Sequence, residues 1–179
     1  MISLCQCMDH ATGKMRGESD MLVLELLILL ALSNGAPVIA RNIFEDQFSW
    51  PVDAGVRFID GQPLFGGAKT IRGLVFAVVF TTLGALMIGL GWKTGLVVGI
   101  VSMSGDLFSS FIKRRFKMPA SSRAVGLDQI PESLFPLLAC QQVLGLGVSE
   151  ILAVVVLFFL GSVILSPVFH KLNIRKHPY

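Results

Sequence analysis

The chain has 179 residues, of which 53% are hydrophobic and 15% are charged, and its formal net charge is +3. A mean hydropathy of +0.71 is too high for an ordinary soluble domain, so the composition indicates an integral membrane protein. The small positive charge gives no support for nucleic-acid binding, because most of the cations lie in connections between apolar segments.

The first element in chain order is a polar stretch of mixed charge, residues 1–20. It lacks the short apolar core and small-residue cleavage site of a secretory signal, so it predicts a disordered arm. Cys5 and Cys7 lie in this arm with one residue between them, whereas the cysteine pairs that bind zinc have two to four residues between them.

Five apolar segments follow, and each comes close to the roughly 20 residues that span a bilayer. They cover residues 21–40, 71–92, 94–112, 133–148 and 151–169. The fourth is short and holds Gln141 and Gln142, so it is the weakest candidate. No internal repeat is visible, which argues against a transporter built from inverted repeats. We predict an all-α integral membrane protein with about five transmembrane helices, with one membrane domain at 21–170 and a short basic tail at 171–179.

The cations predict the orientation in the membrane. The loops near 41–70 and 113–132 and the tail, together with Arg72 at the edge of the next helix, hold twelve of the fifteen Lys and Arg residues. Because cytoplasmic loops are enriched in Lys and Arg, we expect these two loops and the carboxyl terminus to be cytoplasmic. The amino terminus is then outside the cell membrane.

The first of these loops carries the sequence DGQPLFGGAKTIRG at residues 60–73. The glycines at 66 and 67 allow backbone N–H groups to approach an anion, and Lys69, Thr70 and Arg72 add charge and a hydroxyl donor. Ala68 replaces a P-loop glycine, and no buried strand precedes the motif. A turn followed by cations that anchor the next helix explains the same residues.

A second motif, GDLFSSFIKRR at residues 105–115, places an acid inside an apolar segment. At 100° per residue, Asp106, Ser110, Lys113 and Lys117 fall within about 60° of one another on one helix face. Asp128 follows after a polar loop. Ionisable groups in a membrane segment are functional candidates, and these residues suit a metal-bound polyphosphate. The alternative is an Asp–Lys pair that stabilises a helix end, together with a cationic membrane anchor.

Together with NGAPV at 34–38 and GLDQ at 126–129, these motifs resemble the CDP-archaeol synthases, relatives of the CDP-diacylglycerol synthases. The resemblance implies a membrane enzyme that transfers CMP from CTP to an isoprenoid-ether lipid phosphate, with Mg²⁺ as cofactor and pyrophosphate as product. It implies catalytic roles for Asp106, Lys113, Arg114 and Asp128. It implies substrate binding by the remaining motif residues: Asn34, Asp60, Gly66, Lys69, Thr70, Arg72 and Ser110.

The chain departs from this family at Pro131, where a further acid is usual. Glu132 is adjacent, so the predicted metal ligands are Asp106, Asp128 and Glu132. Acidic ligands fit Mg²⁺, which often uses only one or two carboxylates beside substrate phosphates.

Three interpretations remain open beside an ether-lipid enzyme. The first is a cytidylyltransferase that acts on phosphatidate, since apolar tails leave little readable pattern. The second is a transporter with Asp106 and Glu25 as pathway residues, and the third is a non-catalytic membrane subunit. A homo-oligomer is also left open.

Overall fold

The computed structural model describes residues 2–45, 47–119, 124 and 126–171. In these ranges the chain forms five α-helices and no β-strand, apart from isolated bridges that pair Pro51 with Thr70 and Arg57 with Pro63. The helices are α1 (Ile2–Phe44), α2 (Ile71–Met87), α3 (Trp92–Arg115), α4 (Gln129–Leu144) and α5 (Val148–Lys171). Each predicted apolar segment falls within or largely within one helix, which confirms the all-α prediction.

The backbone of α1 is helical from Ile2. Residues 2–20, predicted as a separate disordered arm, therefore continue the first apolar helix in the structure, and their disorder in solution stays a prediction. The predicted basic tail, apart from Lys171, lies outside the described residues.

Two stretches are long and apolar enough to cross a bilayer by length and composition, namely Gly17–Phe44 and Trp92–Arg115. Ile71–Met87 and Val148–Ile164 are apolar but shorter. The number of helices that span the membrane stays a prediction.

Apolar side chains cover the outer faces of the bundle. On α2 the exposed residues recur every four positions, at Val75, Val79 and Leu83, and on α5 the same spacing continues through Leu152, Val156 and Leu160. Side chains four apart lie on one helix face. Such continuous apolar faces are unusual on a soluble monomer and suit contact with lipid.

The interior core joins all five helices through small and branched apolar side chains, including Leu29, Ala85, Val98, Leu137 and Val154. α3 packs against α2 on one side and α4 on the other.

Gly105 allows α3 and α4 to approach closely. A Cβ at this position would lie 2.6 Å from the carbonyl carbon of Pro131 and 2.9 Å from Cα of Glu132. Only glycine fits there, so Gly105 sets how closely the start of α4 approaches α3.

The two polar loops, 45–70 and 116–128, meet at one end of the bundle. Thr70 ends the first loop and caps α2, with its hydroxyl accepting from the Gly73 N–H at 3.2 Å. Ser109 near the end of α3 donates to the Leu127 carbonyl at 2.7 Å, which joins the second loop to the same helix. The predicted placement of both loops at one end is confirmed, whereas their cytoplasmic orientation stays a prediction.

Candidate active site

The carboxyl-terminal half of α3 holds an acid that is paired with a lysine from the first loop. Nζ of Lys69 lies 2.5 Å from both carboxylate oxygens of Asp106. The two side chains are 24% and 22% exposed, so the pair is accessible from outside the bundle. The loop backbone positions Lys69, whose carbonyl accepts from the Val52 N–H at 2.8 Å and whose N–H donates to the Gly66 carbonyl at 3.1 Å.

A second Lys–Asp pair lies two turns further along α3. Nζ of Lys113 is 2.8 Å from Oδ1 of Asp128, and the side chains are 9% and 21% exposed. Asp128 is the residue before the first turn of α4, and its Oδ2 accepts from the Ala124 N–H at 3.4 Å. Asp128 therefore lies against Lys113 near the end of α3, and its catalytic and metal-binding roles stay predictions. Two ammonium groups and two carboxylates thus lie at one end of the bundle.

Ser110 lies on α3 between the two pairs and is buried. Its hydroxyl donates to the Asp106 carbonyl at 2.9 Å, a bond within the helix that leaves the oxygen lone pairs for another donor. The predicted helical stripe does not continue to Lys117, because α3 ends at Arg115. Lys117 has φ +55°, outside the helical region, and its side chain is exposed. Including Lys117 in the stripe was therefore wrong.

Arg114 is buried and connects the two loops. Its Nη2 donates to the Pro119 carbonyl at 2.7 Å in the second loop. Its side chain also lies against Gly66 of the first loop, where a Cβ would be 3.7 Å from Cδ of Arg114. Gly66 has φ +89°, a conformation that glycine adopts without strain. Gly66 therefore lies beside Arg114, and its role in substrate binding stays a prediction.

The Gly66 N–H is engaged by a residue that sequence reasoning missed. Asp53 is 6% exposed, and its carboxylate accepts from the N–H groups of Gly55, Phe65 and Gly66 at 3.1, 3.1 and 2.9 Å. The Gly66 N–H is thus not a free donor for a phosphate, contrary to the prediction. An Asp two residues before Gly is a common turn signal, but nothing local in the sequence indicates the bonds to Phe65 and Gly66.

The environment of Asp53 favours its charged form. Burial raises the pKa of this carboxyl, but the backbone hydrogen bonds to it lower the pKa by more, so the net shift is below the ordinary range of an aspartate. The carboxylate is therefore a permanent anion inside the loop at neutral pH.

Three other predicted substrate-binding residues have structural contacts at the edges of the first loop. Arg72 donates from Nη2 to the Glu45 carbonyl at 3.1 Å and from Nη1 to the Gln47 carbonyl. Thr70 caps α2, as described above. Asp60 is paired with Arg115 on the far side of the loop. These contacts, taken from the described part of the chain, do not involve the two Lys–Asp pairs, and the binding roles of the three residues stay predictions.

Asn34 and Glu132 form a partly buried contact of their own. Nδ2 of Asn34 donates to Oε2 of Glu132 at 3.3 Å, and Glu132 is 4% exposed. In the described ranges, no three His, Cys, Asp or Glu side chains are grouped so that they could hold one metal ion. The predicted ligands Asp106, Asp128 and Glu132 therefore do not form one cluster in this structure.

Comparison with known proteins identifies the family. A family model described as CarS-like, CDP-archaeol synthase, matches residues 88–179, which include α3, α4 and both paired aspartates. The CDP-archaeol synthase of Sulfurisphaera tokodaii is 32% identical over 154 residues, covering 83% of this chain and 89% of that protein. The CDP-archaeol synthase of Pyrobaculum arsenaticum is 30% identical over 175 residues, covering 87% of this chain and all of that protein.

A solved structure supports the same relationship. It is described as an intramembrane enzyme for archaeal membrane lipid biosynthesis, has 25% sequence identity and a TM-score of 0.68, and covers 79% of this chain and 90% of its own. These relatives confirm the predicted integral membrane enzyme and favour it over a transporter or a non-catalytic subunit. The chain belongs to the CDP-archaeol synthase family and is a CTP-dependent lipid cytidylyltransferase of membranes.

Proposed function

We propose that the enzyme transfers CMP from CTP to an isoprenoid-ether glycerol lipid phosphate and releases pyrophosphate. The observation that carries this proposal is the pairing of Lys69 with Asp106 and of Lys113 with Asp128 at one end of the helix bundle. A nucleoside triphosphate needs cations around its phosphate oxygens, and this end of the bundle supplies them.

The residues present fit Mg²⁺ as the cofactor. Both aspartates are partly exposed, and the partner of each is a lysine ammonium on a flexible stem, which a ligand can displace. Carboxylate oxygens are the donors that Mg²⁺ prefers, and one or two are usual when phosphates complete the site. Asp106 and Asp128 would hold the ion, which would neutralise charge on the phosphates.

The basic residues that would bind the triphosphate come from two parts of the chain, the helix α3 and the first loop. Lys113 and Arg114 are buried near the end of one helix and offer positive charge there. Lys69 lies on the loop and can follow the phosphates as they bind. In the reaction an oxygen of the lipid phosphate attacks the α-phosphorus of CTP, the bond to the β-phosphate oxygen breaks, and pyrophosphate leaves. These cations stabilise the charge that builds on the leaving group.

The reaction needs no protein base, because the attacking lipid phosphate is already ionised at neutral pH. Its tails would remain in the bilayer beside the apolar outer faces of the helices, while its head group reaches the polar end of the bundle. This arrangement explains why the cationic groups lie at a helix end and not in the middle of the bundle.

The direct test is to incubate the purified protein with radiolabelled CTP, Mg²⁺ and one lipid phosphate at a time. We expect labelled CDP-lipid and pyrophosphate with an isoprenoid-ether glycerol phosphate, and much less product with phosphatidate. A clear preference for phosphatidate would contradict the proposed substrate. Release of pyrophosphate without a labelled lipid would contradict the transfer itself.

Asp106→Asn and Asp128→Asn test the proposed roles of the two carboxylates. Each substitution keeps the side-chain size and removes the charge, so we expect turnover to fall on the order of 100-fold or more. The matched control is Glu45→Gln, which removes an exposed acid of the first loop and should leave turnover unchanged. Near-normal activity in both aspartate variants would show that the pairs are structural.

A further inference from the structure

The structure assigns Arg115 as a positioning residue that holds the first loop against the end of α3 and so fixes Lys69 for the triphosphate. This inference rests on the proposed function, because it concerns how that function's loop lysine is placed. Sequence reasoning used Arg115 only as one of the cations that indicate membrane orientation.

The three consecutive cations of α3 reach three different places. Lys113 pairs with Asp128 before α4, Arg114 reaches the Pro119 carbonyl, and Arg115 reaches the first loop. Successive helical residues point about 100° apart, so one short motif can hold two loops at once. The contacts of Arg115 within the described residues are with the first loop and Phe111, and so differ from those of Lys113 and Arg114.

The Arg115 side chain is held by four groups. Nη1 lies 2.5 Å from Oδ1 of Asp60, and Nη2 donates to the Pro63 carbonyl at 2.7 Å. The guanidinium also lies over the rings of Phe58 and Phe111, at 4.7 and 4.8 Å from their centroids. The guanidinium is planar, donates two hydrogen bonds at once and also contacts aromatic rings. A lysine ammonium cannot reproduce this set of contacts.

The segment that Arg115 contacts is a small hairpin, residues 56–64. The Phe58 N–H donates to the Gln62 carbonyl at 2.8 Å, and the Leu64 N–H donates to the Val56 carbonyl at 3.2 Å. Asp60 also orders the turn by accepting from the Gln62 N–H at 3.0 Å. Because these bonds join its two sides, we expect the hairpin to stay intact as a unit if its contact with Arg115 is lost.

The hairpin is connected directly to the site lysine. The chain leaves it at Phe65 and Gly66, which Asp53 binds, and the Gly66 carbonyl accepts from the Lys69 N–H. A loop that is already held in place loses less conformational freedom when a ligand binds. Release of the hairpin should thus weaken CTP binding more than it slows transfer from bound CTP.

Kinetics of four variants test this role: Arg115→Gln, Arg115→Lys, Asp60→Asn and the double variant Asp60→Asn with Arg115→Gln. We expect Arg115→Gln to raise KM for CTP roughly tenfold, with kcat and the KM for the lipid within about twofold of wild type. Arg115→Lys should recover only part of the loss. The matched control is Arg57→Gln, because Arg57 is exposed and donates only within the hairpin, to the Gly61 carbonyl at 3.3 Å.

The double variant separates positioning from direct substrate binding by Asp60. If Asp60 acts through Arg115, the double variant should be no worse than Arg115→Gln alone, since coupled residues are not additive. The proposal would be overturned if Asp60→Asn raised the KM for CTP by the same factor in the Arg115→Gln background as it does alone. Asp60 would then contact CTP itself.

Limited proteolysis gives a readout that does not depend on activity. Without any substrate, chymotrypsin should cleave after Phe58 several-fold faster in Arg115→Gln than in wild type or Arg57→Gln, with cleavage sites identified by mass spectrometry. Unchanged cleavage together with an unchanged KM would overturn the proposal. Failure of the wild-type protein to use CTP would overturn the proposed function and leave the cleavage rates as the test of the hairpin contact.

Discussion

At the scale of single residues, Glu132 stands out as a carboxylate that is 4% exposed, with the Asn34 amide donating to it. A buried carboxylate is costly to keep unless it is bonded or bound to a cation. The contact with Asn34 joins α1 to the first turn of α4, so a structural role explains part of its burial. A role in metal binding, as predicted from its place beside Pro131, would explain why a charged residue is present at all.

Glu132→Gln distinguishes these roles, because glutamine keeps the size and can still bond to Asn34. We expect a roughly 10- to 100-fold loss of activity at limiting Mg²⁺ that is partly recovered at high Mg²⁺, as for groups that hold or orient a metal. Activity titrated against Mg²⁺ is the measurement, and Glu150→Gln, an acid in the first turn of α5, is the matched control. Full activity at limiting Mg²⁺ would leave Glu132 as a link between helices.

At the scale of elements, the first loop is ordered by a buried anion. The Asp53 carboxylate accepts hydrogen bonds from three backbone N–H groups, and the order of the segment around Gly66 depends on these bonds. A carboxyl whose pKa is lowered on folding contributes stability above its ordinary pKa, and this contribution is lost as the pH falls through the lower pKa of the folded state. The loop should therefore be stable at neutral pH and loosen only in acid.

Hydrogen exchange of the Phe65 and Gly66 amides measures how the order of the loop depends on pH. In wild type we expect protection that is constant from about pH 7 to pH 5 and decreases once the pH falls below about 4, near the ordinary aspartate value. Asp53→Asn should exchange faster at neutral pH and show no such decrease in acid. Equal protection in the two proteins at pH 7 would show that the carboxylate does not order the loop.

At the scale of the whole molecule, both polar loops lie at one end of the bundle, where the site residues are. The distribution of cations predicts that this end is cytoplasmic. CTP is a cytoplasmic nucleotide, so the predicted orientation and the CTP dependence of the family agree.

Cysteine labelling tests the orientation, in a background with Cys5, Cys7 and Cys140 replaced by alanine. A membrane-impermeant maleimide added to intact cells should label Lys93→Cys, which is exposed near the start of α3. It should not label Lys117→Cys, which is exposed just beyond the end of that helix. The reverse pattern would place the site outside the cell and contradict the predicted topology.

The sequence by itself determined the helices and the part of the site that lies along one of them. Apolar segments of about the right length predicted all five helices, because helix formation depends on residues that are near in sequence. The spacing of Asp106, Ser110 and Lys113 followed from the geometry of one helix, whereas the contact of Asp128 with Lys113 was seen only in the structure. The extension to Lys117 failed because the end of a helix depends on how the following loop folds.

The tertiary structure alone decided how the loops meet that helix. Lys69 pairs with Asp106 across 37 residues, Arg115 with Asp60 across 55, and Asn34 with Glu132 across 98. The hydrogen bonds that the Phe65 and Gly66 N–H groups donate to Asp53 likewise arise from the folded path of the loop. Such contacts depend on how close distant segments pack, as at Gly105 where α4 approaches α3. Periodicity describes only neighbours along the chain, so it carries no information about which distant groups packing brings together.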